Sequence, residues 1–264
     1  MVEYFNKFIR PVLFTATAEE YSSPMPYISG TCFLLKIRNK FIVVTAGHVL
    51  RNSNIRDLRI LLNPFADRET ESHELLAISG GFNFYDGKPE DPNYDADAYD
   101  FCIINVAQDD TPQDLTPFFF EYIAPSKDDF NLKDNVIVAG YPRALQDIDY
   151  DSMTGDFGMI AIAGSIAKIC PTWRHFQLET AQNGGDDFTG FSGSPVFHQS
   201  TDGRWKILGF VIQGSASSGI MRCVNIKMIE AALTQQERNI VEGIRPAYIG
   251  VTYNNGGSES STNS

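Results

Sequence analysis

Basic residues are in short supply in this chain. Its 264 residues hold 21 Lys and Arg against 33 Asp and Glu, a formal net charge of −12, with a pI near 4.7. Phosphate backbones and anionic lipid surfaces are bound by clustered Lys and Arg. Nucleic acid and a membrane surface are therefore excluded as primary partners. No apolar run approaches the roughly 18 residues of a membrane-spanning helix. The opening residues, Met1 to Lys7, show no basic segment followed by a long apolar one. No secretory signal is expected, and the expected compartment is the cytoplasm. Cysteine is scarce as well. Cys32, Cys102, Cys170 and Cys223 lack the close C-x-x-C spacing of zinc and redox sites. They read as buried thiols, reduced in the cytosol. One acidic stretch, Asp91-x-Asn93-x-Asp95-x-Asp97, resembles the start of a calcium loop. Ala96 stands where that loop needs glycine, and no glutamate occupies its twelfth position. A solvated acidic loop is the better reading, and neither a metal nor a cofactor is expected.

What the chain does carry is a Gly/Ser run, Thr189-Gly190-Phe191-Ser192-Gly193-Ser194-Pro195-Val196. Glycines on both sides of a hydroxyl allow a sharp turn and close approach of another backbone. Such a turn exposes the Ser192 hydroxyl and aims backbone N–H groups at one point. Acyl transfer needs those two things, a nucleophile and an oxyanion hole. Taken alone, the run reads equally as a loop between strands. Two further segments bear on it. Phe41-Ile42-Val43-Val44-Thr45-Ala46-Gly47-His48 is a β-branched apolar run that places His48 at a strand end. Tyr99-Asp100-Phe101-Cys102-Ile103-Ile104 opens a second strand-like run with an aspartate. Alone, His48 reads as a strand-end histidine and Asp100 as a strand-start cap.

Together, in the order His48, Asp100, Ser192, the three segments resemble the trypsin-like (chymotrypsin-fold) serine protease superfamily. Its members carry Thr-Ala-[Ala/Gly]-His, Asp-[Ile/Phe]-x-[Leu/Ile]-[Leu/Ile] and Gly-x-Ser-Gly-[Gly/Ser]-Pro in that sequence. The resemblance covers roughly residues 28–235. Triad geometry recurs on unrelated folds with other chain orders, so the order helps select this fold. The resemblance implies an all-β chain of two packed six-stranded antiparallel barrels of chymotrypsin type with a C-terminal helix. It implies Ser192 as nucleophile, His48 as general base and acid, and Asp100 as the group that orients the imidazole. The N–H groups of Gly190 and Ser192 match the oxyanion-hole positions. Val49 stands where secreted animal relatives have a cysteine. Asp134-Asn135-Val136-Ile137-Val138-Ala139-Gly140-Tyr141-Pro142 is more similar to bacterial HtrA-like and glutamyl-endopeptidase-like members than to digestive ones.

Along the chain, residues 1–27 read as an N-terminal extension, broken by Pro24 and Pro26, that buries Phe5, Phe8, Ile9, Val12, Leu13 and Phe14. Residues 28–117 form the first barrel, with a hairpin from Thr31 to Ile37 and Phe41 to Thr45 about Arg38-Asn39-Lys40. A short helical turn follows His48. Residues 118–224 hold the linker and the second barrel, with strands at 157–170, 174–181, 195–199 and 205–213. The linker is Pro-rich over 107–130 and carries Phe118 to Phe120. Residues 225–242 are the C-terminal helix. Residues 243–264 are a C-terminal segment whose tail, from Asn254, is disordered by composition.

Digestive relatives have Asp just before the nucleophile, paired with a new N-terminus after zymogen cleavage. Phe191 stands here, which rules out that ion pair. Either the site is permanently formed, or a partner or ligand orders it. A permanently active cytosolic protease threatens its host, which favours external control by a regulatory protein partner. For specificity, ungapped counting back from Ser192 puts Asp186 at the base of the primary pocket, which implies cleavage after Arg or Lys. Asn183-Gly184-Gly185-Asp186-Asp187 also looks like a local insertion, so an exposed acidic loop stands beside that reading. Ile212, Gln213 and Gly214 match the strand that pairs with the substrate backbone, and Gly219 matches a small pocket-wall residue. Gln213 replaces the usual aromatic side chain. His73, His175 and His198 lack any motif and read as structural or surface residues. The function expected is a serine endopeptidase acting on a protein or peptide. The alternatives are a catalytically silent module that binds a peptide in the same cleft, and an esterase using the same triad.

Overall fold

An apolar hairpin organises the first half of the chain. The structure, a computed structural model, describes residues 2–15, 26–51, 53, 57–62, 75–84, 99–107, 114–149, 154–180 and 188–241. A short helix, α1 (Val2–Asn6), leads into β1 (Ile9–Thr15). β1 pairs antiparallel with β2 (Pro26–Ile37), which turns at Arg38 and Asn39 into β3 (Lys40–Ala46). One helical turn, α2 (Gly47–Leu50), carries His48. β4 (Leu58–Arg59), β5 (Ile78–Phe84), β6 (Phe101–Val106) and β7 (Phe120–Glu121) complete a seven-stranded sheet. Its order is β4-β1-β2-β3-β6-β5, with β7 parallel on β2. Val43, Val44, Thr45 and Ala46 are successive residues and all buried, as in a strand covered on both faces.

The second half contains β8 (Asn135–Gly140), β9 (Gln146–Asp149), β10 (Thr154–Phe157), β11 (Ile160–Ile169) and β12 (His175–Thr180). β13 (Pro195–Gln199), β14 (Trp205–Ser215) and β15 (Ile220–Asn225) follow. β9 and β10 form a separate hairpin. The remaining six strands close a barrel in the order β11-β12-β15-β14-β13-β8. The helix α3 (Lys227–Val241) ends the described chain. Asn225 Oδ1 accepts the N–H of Lys227 at 3.0 Å, which satisfies one orphan donor of its first turn. No helix among the described residues is long and apolar enough to cross a membrane.

The all-β, chymotrypsin-like double unit therefore stands, with one correction. Among the described residues the first unit is a curled sheet of seven strands, where six in a closed barrel were expected. The added strands come from segments read as extension and linker. β1 is a full ladder partner of β2, from Ile9↔Phe33 to Thr15↔Pro26, so Pro26 begins a strand and the boundary after residue 27 falls inside β2. Phe120 pairs with Leu35, so the first sheet reaches past residue 117. β15 occupies the residues just before the helix, which starts at Lys227 instead of 225. The acidic stretch Asp91 to Asp97, His73 and the tail from Asn254 lie outside the described residues.

Aromatic rings lock the two units together. Phe5 stacks on Phe197 with centroids 4.2 Å apart, and Phe120 meets Phe197 edge-on at 5.7 Å. Phe210, from β14, touches Phe33 at 5.9 Å and Phe101 at 6.3 Å. Such pairs add about 0.5–1.5 kcal/mol each beyond the area they bury. The aromatic residues of β2, β6 and β14 thus fix the distance between the strand ends that carry the site.

Candidate active site

His48, Asp100 and Ser192 converge where the two units meet. β3 ends at Ala46, and α2 turns the chain so that His48 faces outward. Asp100 directly precedes β6, the strand paired with β3, so the ladder brings it beside His48. The Gly47 N–H donates to the Asp100 carbonyl at 3.0 Å, and the His48 N–H donates to Asp100 Oδ1 at 2.9 Å. His48 Nδ1 lies 2.6 Å from Asp100 Oδ2. His48 Nε2 lies 2.8 Å from Ser192 Oγ. A carboxylate only accepts, so Nδ1 carries a proton, and the neutral ring presents Nε2 as an acceptor for the serine hydroxyl. Arg51 Nη2 stands 3.5 Å from Asp100 Oδ1 with its side chain 59% exposed, a solvent-screened contact.

The loop bearing Ser192 is held on every side. Phe191 is buried and meets Phe188 edge-on at 6.0 Å. Burial of this ring anchors the loop, worth about 1.5–3 kcal/mol by apolar transfer. Gly190 and Gly193 adopt φ of 95° and 89°, a region that favours glycine. A Cβ on Gly190 would lie 2.5 Å from the Tyr141 carbonyl oxygen, and one on Gly193 would run into the carbonyl of Thr31. The Gly193 N–H donates to Val211, and the Ser194 N–H donates to Phe191. The N–H groups of Gly190 and Ser192 have no acceptor among the described residues. The Thr189 carbonyl accepts from Arg143 and the Gly190 carbonyl accepts from Thr31. Neither carbonyl is thus free to turn toward Ser192.

The neighbouring strand is partly as expected. Ile212 is the bulged residue between the pairs Val211↔Cys223 and Gln213↔Arg222, and its side chain is buried. Gln213 and Gly214 are exposed. The ladder of β14 with β13 stops at Phe210, so beyond Val211 only β15 pairs with β14 among the described residues. The other edge of Gln213 to Ser215 is thus left without a ladder partner beside the serine loop. Phe188 packs against Gly214, whose missing Cβ would lie 3.0 Å from its ring. Gly219 is buried with φ of 66°, and its carbonyl accepts from the N–H and hydroxyl of Thr180. Asp186 lies outside the described residues. Among those residues no cluster of three or more His, Cys, Asp or Glu is arranged to hold a metal. His198, on β13 just after the serine loop, has its Nδ1 3.2 Å from the Asn135 carbonyl.

Sequence reasoning missed Thr31, which contacts both Gly190 and Ser192. Nothing in the sequence around Thr31 signals these partners, which lie 159 residues away and more.

A closed antiparallel barrel against a curled β-sheet, with serine, histidine and aspartate at the junction, defines a chymotrypsin-like two-unit β protein. Residues 30–207 match the trypsin-like peptidase domain, and the chain belongs to that family. No curated protein matches it.

Proposed function

We propose that the chain is a serine endopeptidase. The observation that carries the reading is the bridging imidazole, 2.6 Å from Asp100 Oδ2 and 2.8 Å from Ser192 Oγ. In this reading Ser192 Oγ bonds to the carbonyl carbon of a peptide while its proton passes to His48 Nε2. Asp100 holds the ring in its tautomer and stabilises the imidazolium. The carbonyl oxygen becomes an oxyanion facing the N–H groups of Gly190 and Ser192. One such donor lowers the barrier by about 3–4 kcal/mol. The C–N bond then breaks, His48 returns the proton to the leaving amine, and an acyl-enzyme remains. Water repeats the sequence, giving up a proton to His48 and releasing the acid with Ser192 restored. The chemistry draws on these groups alone.

The edge of Gln213 to Ser215, without a ladder partner among the described residues, supports a peptide substrate, which can add to it as a strand. A cytosolic setting belongs to the same proposal and rests on four cysteines that are all free thiols. The test is turnover. A pool of peptides from a digested proteome is incubated with the wild type and with Ser192→Ala, and new N-termini are read by mass spectrometry. New termini in the wild type alone are expected. Peptides retained by both proteins and cut by neither would replace the endopeptidase with a peptide-binding module.

A further inference from the structure

Thr31 lies in β2, is wholly buried, and uses every polar group it has. Its N–H donates to the Ser192 carbonyl at 2.9 Å. Its carbonyl accepts the Thr45 hydroxyl at 2.7 Å. Its hydroxyl oxygen lies 2.9 Å from the Tyr141 N and 2.8 Å from the Gly190 carbonyl oxygen. The direction of the last two bonds follows from chemistry. A backbone N–H can only donate, so the hydroxyl accepts from Tyr141 and its single proton points to Gly190.

Those bonds act on the donors of the oxyanion hole. Peptide units are planar, so a residue is oriented by the two planes that flank it. The plane before Gly190 is pinned through the Thr189 carbonyl by Arg143 at 2.8 Å. The plane after it is pinned at both ends, by Thr31 on the Gly190 carbonyl and by Phe188, whose carbonyl accepts the Phe191 N–H at 3.1 Å. The Gly190 N–H lies in the first of these planes, and the second fixes the backbone on its other side. The backbone angles of Gly190 that aim the N–H are therefore held from both directions. The Thr31 N–H grips the loop a second time, at Ser192, the other donor. One side chain and one amide from the first sheet thus hold the peptide planes that follow both donor residues.

We propose that Thr31 is a positioning residue whose hydroxyl presets the oxyanion hole. The inference rests on the endopeptidase reading above. Without the hydroxyl, the Gly190 carbonyl is a buried acceptor with no donor, and turning that plane is the available relief. Attack on a tetrahedral phosphorus probe uses the same hole. Thr31→Val keeps the shape of the side chain and removes the hydroxyl, while Thr31→Ser keeps the hydroxyl.

The experiment is time-resolved labelling by a fluorophosphonate at several concentrations, on wild type, Thr31→Val and Thr31→Ser, each checked for folding by thermal melting. Outright loss of an oxyanion donor costs about 10²–10³-fold, so a loosened one is expected to lower the maximal labelling rate of Thr31→Val by about 10- to 100-fold. The concentration giving half the maximal rate should stay unchanged, and Thr31→Ser should label like the wild type. A folded Thr31→Val that labels at the wild-type rate overturns the inference and leaves the endopeptidase reading intact. If Thr31→Val does not fold, Thr31→Ala, which also lacks the hydroxyl, decides. Folded and slow it supports the inference, and folded and as reactive as the wild type it overturns it. A wild type that does not label at Ser192 removes the endopeptidase reading itself, and the inference with it.

Discussion

Phe191 immediately precedes Ser192, and its ring lies 6.0 Å from that of Phe188 at an interplanar angle of 74°. An apolar anchor thus holds the Ser192 loop at the position where digestive proteases use an ion pair. Phe191→Ala should open a cavity beneath the loop and cost about 3–5 kcal/mol of stability. Denaturant unfolding measures the loss, and labelling of Ser192 at temperatures where the variant is still folded should fall with it. A variant as stable as the wild type would show that the loop is anchored elsewhere.

Asp100 accepts from both the backbone and the ring of His48. In Asp100→Asn the amide can turn its NH₂ toward Nδ1 and favour the tautomer that protonates Nε2, leaving Ser192 without a base. Peptidase activity is expected to drop about 10⁴-fold with the fold unchanged. Arg51→Ala should alter activity little, because its contact with Asp100 is exposed and screened. Assay of both variants on one substrate separates the two roles.

Arg10 is buried in the first sheet, and burial lowers its pKa to about 10, so it stays charged at neutral pH. Its guanidinium donates to the carbonyls of Asn6, Lys7, Ile9, Leu61 and Leu62. It ties α1, β1 and the segment after β4 into one body. Arg10→Met leaves these acceptors without their donor, and each orphaned buried acceptor costs about 1–3 kcal/mol. A loss of about 3 kcal/mol or more is expected on denaturant unfolding. Arg10→Lys should not rescue it, since an ammonium cannot span the same fork.

Lys206 and Asp129 form a buried ion pair at 2.8 Å, with side chains 12% and 7% exposed. Burial pushes the Asp129 carboxyl up, but hydrogen bonds from Lys206 and Ser126 outweigh it and hold the group below its ordinary value. An acid depressed in the folded state contributes stability above its unfolded pKa and loses it as pH falls through the folded one. The wild type should therefore exceed Lys206→Met in stability by a constant amount near neutrality. That margin should shrink as the pH falls through and below the ordinary carboxylate range. Denaturant unfolding across that range checks it, and parallel pH profiles would contradict it.

The residues of the trio were legible because each sits at the end of an apolar run with its own local pattern. Thr45-Ala46-Gly47-His48 marks a strand running into a turn, and Gly190 and Gly193 mark backbone that only glycine adopts easily. The hairpin of β2 and β3 was legible for the same local reason. Thr31 was not, because its partners Gly190 and Ser192 lie 159 residues away and more, and no neighbouring residue signals them. β1 and β7 were hidden likewise. Ile9 to Thr15 and Phe120-Glu121 are short apolar stretches whose strand character comes from pairing with β2. The strand Ile220–Asn225 is not marked by its own residues, and only its last, Asn225, overlaps the helix expected from residue 225.

The central claim is that Ser192 is an activated nucleophile. The direct measurement is incubation with a fluorophosphonate, followed by mass spectrometry of the digested protein, for the wild type, Ser192→Ala and His48→Ala. The account predicts one adduct on Ser192 in the wild type and none in either variant at matched time. A folded wild type that stays unmodified, or an adduct that persists in Ser192→Ala, would contradict it.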